Sequence, residues 1–215
     1  MKKISCIALV SIFVFVAQAQ DFNTYFKNQS LRINYIHSGT KDVDNIEIAF
    51  FQKNNVWAGS MTHLIDPNDY GCHKIEVYDS ASNLLLYSRT YSCLFGEYRT
   101  TEVGKTKSKD FKETVLCPFP KKTVRIEFYT RKQQLAFEKK KSIFVNPEIV
   151  VIAPNNYSFQ TIDLAIGGDI HRAYDLVIVP EGYSIEDSAK LIKDMKMCKD
   201  AILGCSPFKE HASQI

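Results

Sequence analysis

The sequence lacks several features that would each assign a class. Nine glycines and seven prolines among 215 residues follow no repeat, which excludes collagen-like and low-complexity chains. The net charge is only +3, from 27 basic and 24 acidic residues, and no basic stripe is interleaved with aromatics. No nucleic-acid partner is therefore predicted. Hydrophobic residues make up 45% of the chain, the balance of an ordinary globular protein.

Catalytic motifs are absent as well. The five histidines are His37, His63, His73, His171 and His211, and none is followed by glutamate or has a second histidine four positions on. The HExxH motif needs that spacing, because it turns two imidazoles toward one metal. No serine lies in GxSxG, which excludes a nucleophile elbow.

Three weaker fragments have simpler interpretations. Gly104-Lys105-Thr106 resembles the end of a phosphate loop, but Arg99 stands where the first glycine is required, so residues 105–110 are predicted to form a solvated hairpin loop. Cys72-His73 would point to opposite faces of a strand, which predicts a solvated histidine beside a buried thiol and not a metal site. Asp175 and Glu181 are expected to hold a turn or cap a helix and not to act in acid–base catalysis.

The N-terminus has the order of a secretory signal peptide. Two lysines precede an apolar run at residues 4–16, and Ala17-Gln18-Ala19 follows. The alternative is a membrane anchor, but this run is too short to cross ~30 Å of hydrocarbon as a helix. We expect cleavage after Ala19, no membrane span in the mature chain, and a secreted or periplasmic protein.

Removing Cys6 with the signal leaves five cysteines, which are Cys72, Cys93, Cys117, Cys198 and Cys205. An odd number means that at least one stays unpaired, and no CxxC occurs. Two fates are left open: a Cys72–Cys93 bridge between paired strands, or free thiols throughout.

Residues 31–145 alternate apolar with polar side chains between turns, which predicts an antiparallel β-sandwich. The predicted strands are 31–37, 46–51, 74–78, 84–91, 114–117 and 123–129, with a last strand and linker in 143–154. The segments 66–71 and 117–120 are predicted to interrupt the strands. The aromatics of this region, including Trp57, Tyr70, Tyr78, Tyr87, Tyr91 and Tyr98, could stack on sugars if exposed, but their alternating positions favour the core.

Beyond residue 157 the pattern changes. Residues 174–179 form a continuous apolar strand candidate, followed by Ser184 and Asp187 as a capping box. Leu191, Met195, Cys198, Ile202 and Cys205 then make one apolar helical stripe. A strand that leads into an amphipathic helix predicts the first strand and helix of an α/β domain.

The chain resembles a known family in a series of ordered blocks. These are FNTYF (22–26), LRINYIHSG (31–39), WAGS (57–60), LYSR (86–89), GEYRTTE (96–102), FKETV (111–115), PFPK (118–121), NPE (146–148) and YDLVIVPEGY (174–183). They are similar to the N-terminal domain, and then the start of the catalytic domain, of IgA-peptidase-like secreted zinc metallopeptidases, metallopeptidase family sixty-four. Tyr98 stands where the family commonly has tryptophan.

The resemblance implies a mainly β fold with three parts: a signal peptide at 1–19, a β-sandwich accessory domain at 20–153, and an incomplete α/β peptidase domain at 154–215. The family's HExxH motif lies beyond residue 215, so no catalytic, cofactor-binding or metal residue is assigned to this chain, and zinc is expected only in the complete protein. The implied partners are the missing remainder of the catalytic domain and a protein or peptide substrate.

The predicted function is therefore the non-catalytic N-terminal portion of a secreted zinc metalloendopeptidase, with zinc content and peptide cleavage both at background for this chain alone. The alternative is a stand-alone secreted β-sandwich that binds glycan or protein ligands, and a third interpretation is a structural envelope protein.

Overall fold

The computed structural model describes residues 21–132, 136–154 and 159–215; the predicted signal peptide and its cleavage after Ala19 lie outside these residues. The described strands are β1 Phe26–Gly39, β2 Asp44–Asn54, β3 His73–Asp79, β4 Leu85–Tyr91, β5 Lys109–Pro120, β6 Val124–Arg131 and β7 Phe137–Val145. The α-helices are α1 Phe22–Tyr25, α2 Leu94–Tyr98 and α3 Ser188–Gly204. The predominance of β structure is confirmed.

The strands form two antiparallel sheets. Sheet A has the order β2-β1-β5 and sheet B the order β4-β3-β6-β7. The chain therefore crosses between sheets three times: after β2, after β4 and after β5. Helix α2 lies in the second of these crossovers.

One apolar core fills the space between the two sheets. On β1 the inward row begins with Leu31, Ile33 and Tyr35, because alternate strand residues share a face. The Tyr35 ring meets Phe128 of β6 edge-on, with centroids 5.6 Å apart. Both sheets contribute to the same buried cluster, which agrees with the predicted sandwich.

Strand β5 corrects the expectation that residues 117–120 would interrupt a strand. Cys117, Pro118, Phe119 and Pro120 are all part of β5. A proline is tolerated here because β5 is at the edge of sheet A, where a missing N–H leaves no neighbouring strand unpaired. The register between β1 and β5 shifts at the same place.

The prediction that residues 105–110 form a hairpin loop is also wrong, because the type of connection differs. Strands β4 and β5 belong to different sheets, so the segment between them is a crossover and not a hairpin. Residues 105–108 are exposed as expected, whereas Lys109 and Asp110 already belong to β5.

The C-terminal segment keeps its helix but not its strand. The Ser184 amide donates to Asp187 Oδ2 at 3.0 Å, which confirms the capping box ahead of α3. Residues 174–179 are not a strand, because no described strand pairs with them and an isolated strand leaves its backbone groups unpaired. The apolar stripe of α3 is at most half-buried. In the described part of the chain, no helix combines the length and apolar character needed to cross a membrane.

The shared core predicts a strong asymmetry between two phenylalanines of sheet B. Phe128→Ala should lower the free energy of unfolding by about 3–5 kcal/mol, because it opens a cavity under Tyr35. Phe144→Ala is the matched control, since that ring is 67% exposed on β7 and should change stability by less than about 0.5 kcal/mol. Urea denaturation of both variants measures the difference, and equal losses would contradict the shared core.

Candidate functional site

A cluster of polar side chains closes one end of the core between the sheets. His37 continues the inward row of β1, and His73 is the first residue of β3 in the opposite sheet. Both histidines are at most 1% exposed, and their ring centroids are 4.9 Å apart. Helix α2 covers them: Phe95 lies 4.0 Å from the His37 ring, centroid to centroid, and Cys93 is the N-cap residue of the helix.

His37 is held between two carboxylates. Its Nε2 lies 2.8 Å from Asp44 Oδ1 and its Nδ1 lies 3.0 Å from Glu113 Oε2. Arg99 also reaches this pair, with its Nη1 donating to Asp44 Oδ2 at 3.0 Å. Burial disfavours a charged ring, but the hydrogen bonds to Asp44 and Glu113 outweigh it and raise the pKa of His37. The His37 ring and the Arg99 guanidinium are therefore both paired with carboxylates in this cluster.

The pKa of His73 is shifted in the opposite direction to that of His37. Its Nδ1 lies 3.1 Å from Thr130 Oγ1, whereas its Nε2 is buried and has no hydrogen-bond partner. Burial and the neighbouring His37 charge lower the pKa of His73 to about 4, so the ring is neutral. Gly96 in α2 lies directly over Nε2, and a Cβ there would be 3.0 Å from it.

Cys93 and Glu113 complete the cluster. The thiol sulphur lies 3.8 Å from His37 Nδ1, and burial with a hydrogen bond to Glu113 raises the pKa of Cys93 to about 12. Burial opposes ionisation of Glu113, yet its contacts with His37 and Cys93 lower its pKa to about 2. Glu113 Oε1 also accepts from the Phe95 amide at 3.0 Å, so this carboxylate ties β5 to α2.

The structure reverses one prediction about this region. Cys72 and His73 do point to opposite faces, but the histidine is buried and the thiol exposed. The reason is that His73 occupies the inward row of β3 with Ile75 and Val77. No Cys72–Cys93 bridge is present, and the five described cysteines are all free thiols.

The remaining candidates do not join the cluster. His63 is exposed near Ser60 and Thr62, and His171 contacts the Gly59 carbonyl. His211 lies in the C-terminal turns. Trp57 and Tyr87 are buried with ring centroids 5.7 Å apart, which confirms the core interpretation for both; Tyr70 is 87% exposed.

A second polar cluster lies on the outer face of sheet B. Glu127 is only 4% exposed, and it accepts from Arg125 Nε at 2.9 Å, from Lys139 Nζ at 3.0 Å and from the Tyr129 hydroxyl. Burial raises the pKa of its carboxyl, but these three donors together lower it below the usual range. Every member has a partner, so this cluster stabilises the sheet and offers no free group for chemistry.

The family of the chain follows from a comparison of its sequence with known protein families. Residues 21–142 match the model of the peptidase M64 N-terminus. The chain belongs to the peptidase M64 family through this N-terminal domain. No curated protein matches it. The matched span contains both sheets up to β7 and every member of the buried histidine cluster.

The zinc that the family resemblance implies can be tested against this cluster. Among the described residues, one group of three histidine, cysteine or acidic side chains has converging ligand atoms. It consists of His37, His73 and Cys93, whose ligand atoms all lie within 4.8 Å of one another. A catalytic zinc keeps a coordination position open to water and substrate. Both imidazoles are buried beneath α2, so the cluster does not fit a catalytic zinc.

Sequence reasoning missed this cluster because its members come from five separate elements. Alternation along β1 already places His37 in the row of Leu31, Ile33 and Tyr35, and a polar residue in an apolar row is the signal that could have found it. Its pairing with Asp44 and Glu113 depends on the strand register.

Gly96 gives a test of how tightly α2 closes over His73. Gly96→Ala should lower the free energy of unfolding by about 1–3 kcal/mol, because the His73 ring is fixed by Thr130 and Tyr91 and cannot yield to a new methyl group. Gly204→Ala, where nothing lies within 4 Å, is the control and should be neutral or slightly stabilising. Thermal or urea unfolding compares them, and an unchanged Gly96→Ala protein would contradict the close packing.

Glu127 gives a test of pH dependence away from the histidines. Its folded pKa is lowered, so its ionisation stabilises the fold above the unfolded value of about 4.3, and that contribution is lost as pH falls through the folded pKa. Glu127→Gln should cost about 1–2 kcal/mol at pH 7 and progressively less under acid conditions. Exposed Glu148→Gln is the control. A Glu127→Gln effect that is independent of pH would rule out the ion pairs as its source.

Proposed function

We propose that this chain is the N-terminal portion of a secreted zinc metalloendopeptidase of family sixty-four, resembling IgA peptidases, and that residues 20–153 form its non-catalytic accessory domain. The observation that carries the proposal is the match of residues 21–142 to the N-terminal domain of that family. The signal-peptide pattern at residues 1–19 supports export.

The accessory role is supported by the chemistry of the buried cluster. A peptidase site must admit a peptide carbonyl to its metal and its general base. The converging side chains of the described residues instead close off one end of the core, and each carboxylate there is occupied by a cation or an amide. The role that we assign to this domain is therefore non-catalytic: it holds and orients the chain that follows it.

The path of the chain after β7 supports that role. The Ala153 amide donates to the Phe51 carbonyl at 2.7 Å, and Gln52 Nε2 donates to the Pro154 carbonyl at 3.2 Å. Ile152 also forms a parallel bridge with Phe51. The connection to the C-terminal segment is thus fixed along strand β2, at the edge of sheet A.

A groove on the outer face of sheet A lies beside this connection. It has a volume of about 960 Å³ and is lined by side chains that include Arg32, Asn34, Phe50 and Thr114, with Phe159 from the C-terminal segment. We assign this groove to contact between the accessory domain and the start of the peptidase domain, residues 154–215.

Exposed apolar side chains of the C-terminal segment support its assignment to the catalytic domain. Val177, Val179 and Ile185 are each more than 75% exposed. Apolar side chains exposed together mark a surface that packs against another part of a protein. The remainder of the peptidase domain is the partner that this proposal supplies.

The proposal predicts that the purified chain does not cleave peptides above the buffer rate, with or without added zinc, because the peptidase machinery lies outside it. The gene should continue in frame beyond Ile215 and encode HExxH, and the complete protein should cleave a peptide library. Replacing the glutamate of that motif by glutamine is the control and should abolish cleavage. Cleavage by this chain alone, or a stop codon directly after Ile215 with a stably folded product, would contradict the proposal.

A further inference from the structure

We propose that His37, His73, Cys93 and Glu113 form a structural zinc site that joins the two sheets beneath helix α2. This proposal is independent of the peptidase assignment. The prediction that no metal binds to this chain rested on the missing HExxH motif, which describes a catalytic helix and not ligands from four separate elements.

His73 has a buried ring nitrogen, Nε2, without a hydrogen-bond partner. Because Nδ1 donates to Thr130 Oγ1 at 3.1 Å, Nε2 carries a lone pair that no described group satisfies. Buried polar atoms almost always have a partner, so an orphan in a residue 1% exposed requires an explanation. A metal ion accepts this lone pair.

The ligand atoms of three side chains converge on one point. One ring nitrogen of each histidine and the Cys93 sulphur all lie within 4.8 Å of one another. His37 Nδ1 lies 3.8 Å from Cys93 Sγ and 3.0 Å from Glu113 Oε2. Ligand atoms around a tetrahedral zinc are roughly 3.3–3.8 Å apart for bonds of 2.0–2.3 Å. Shifts of about 1 Å would close the two imidazoles and the thiol around one ion. Glu113, whose carboxylate contacts His37 Nδ1, is assigned the fourth position.

Each imidazole has a hydrogen-bond partner at the ring nitrogen that does not face the proposed metal. Histidines that bind metals use one ring nitrogen and donate from the other to a carboxylate, carbonyl or hydroxyl, which fixes the tautomer. His37 Nε2 donates to Asp44, which is itself held by Arg99, and His73 Nδ1 donates to Thr130. Both outer contacts are already in place.

The charged side chains around the cluster also favour a cation. The carboxylates of Asp44 and Glu113 both face His37, whereas Arg99 is the cation that pairs with Asp44. Buried carboxylates are stabilised by pairing with cations or by coordinating a metal.

Zinc is favoured over harder ions by the donor set. Two imidazoles, a thiolate and one carboxylate suit zinc, whereas magnesium and calcium require oxygen ligands. Because four protein ligands would fill a tetrahedral shell, the expected role is structural: fixing the crossover between β4 and β5 against both sheets.

The test begins with a background variant carrying Cys72→Ser, Cys198→Ser and Cys205→Ser, which leaves Cys93 and the buried Cys117 as the described thiols. We expect this protein to bind one zinc per chain and to raise its Tm by about 5 °C or more when zinc is added after chelation. Cobalt in place of zinc should give a sulphur-to-metal charge-transfer band and tetrahedral visible bands. Binding of less than about 0.1 zinc per chain, or a cobalt complex without that band, would overturn the proposal.

Ligand variants in the same background assign the site. Cys93→Ser should abolish the charge-transfer band and weaken zinc binding by about 100-fold or more, whereas Asp44→Asn should weaken it by about 10–100-fold and keep the band. Unchanged affinity in Cys93→Ser would refute the site. X-ray absorption at the zinc edge of the background variant needs no ligand mutant: one sulphur with three nitrogen or oxygen neighbours supports the proposal, and any other first shell overturns it.

Discussion

The packing of β1 against sheet B is the contact on which the rest of the structure depends. β1 pairs with β2 on one side and β5 on the other, so it carries all of sheet A. Its inward row begins with Leu31, Ile33 and Tyr35 against the apolar side chains of sheet B and continues to His37, a buried imidazole. The same alternation that builds the core therefore also buries a polar ring at its end. The fold can hold that ring because Asp44 from β2 and Glu113 from β5 lie on either side of it.

The carboxylates explain why the crossover helix has its position. Glu113 accepts from the Phe95 amide as well as facing His37, and Arg99, just after α2, pairs with Asp44. Helix α2 has only five residues and would not persist alone, so these tertiary contacts supply its stability. The crossover from sheet B to sheet A is consequently fixed where the histidines meet.

Much of the architecture could be read from the chain. Alternation located the first six described strands, although β1 and β5 extend well beyond their predicted limits. The last prediction, a strand and linker in 143–154, shares only residues 143–145 with β7. The capping box at Ser184 and Asp187 was predictable because it depends on two residues only three positions apart. The apolar stretch 174–179 was not a strand, because a strand requires a neighbouring strand and the described chain provides none there. Residues 117–120 were misread for a related reason: proline is unfavourable in a central strand, and only the sheet order reveals that β5 is an edge.

The sequence by itself determined the class of fold, the family and the residues that point inward, because these depend on local periodicity and on ordered blocks of residues. It could not determine which inward residues meet. His37 and His73 are 36 positions apart and in different sheets, and Asp44 and Glu113 reach His37 through two separate strand registers. Only the tertiary structure shows that His73, which was predicted to be solvated, is buried and that its Nε2 has no hydrogen-bond partner. The physical reason is that burial and pairing are properties of the assembled sheets, and no short motif encodes them.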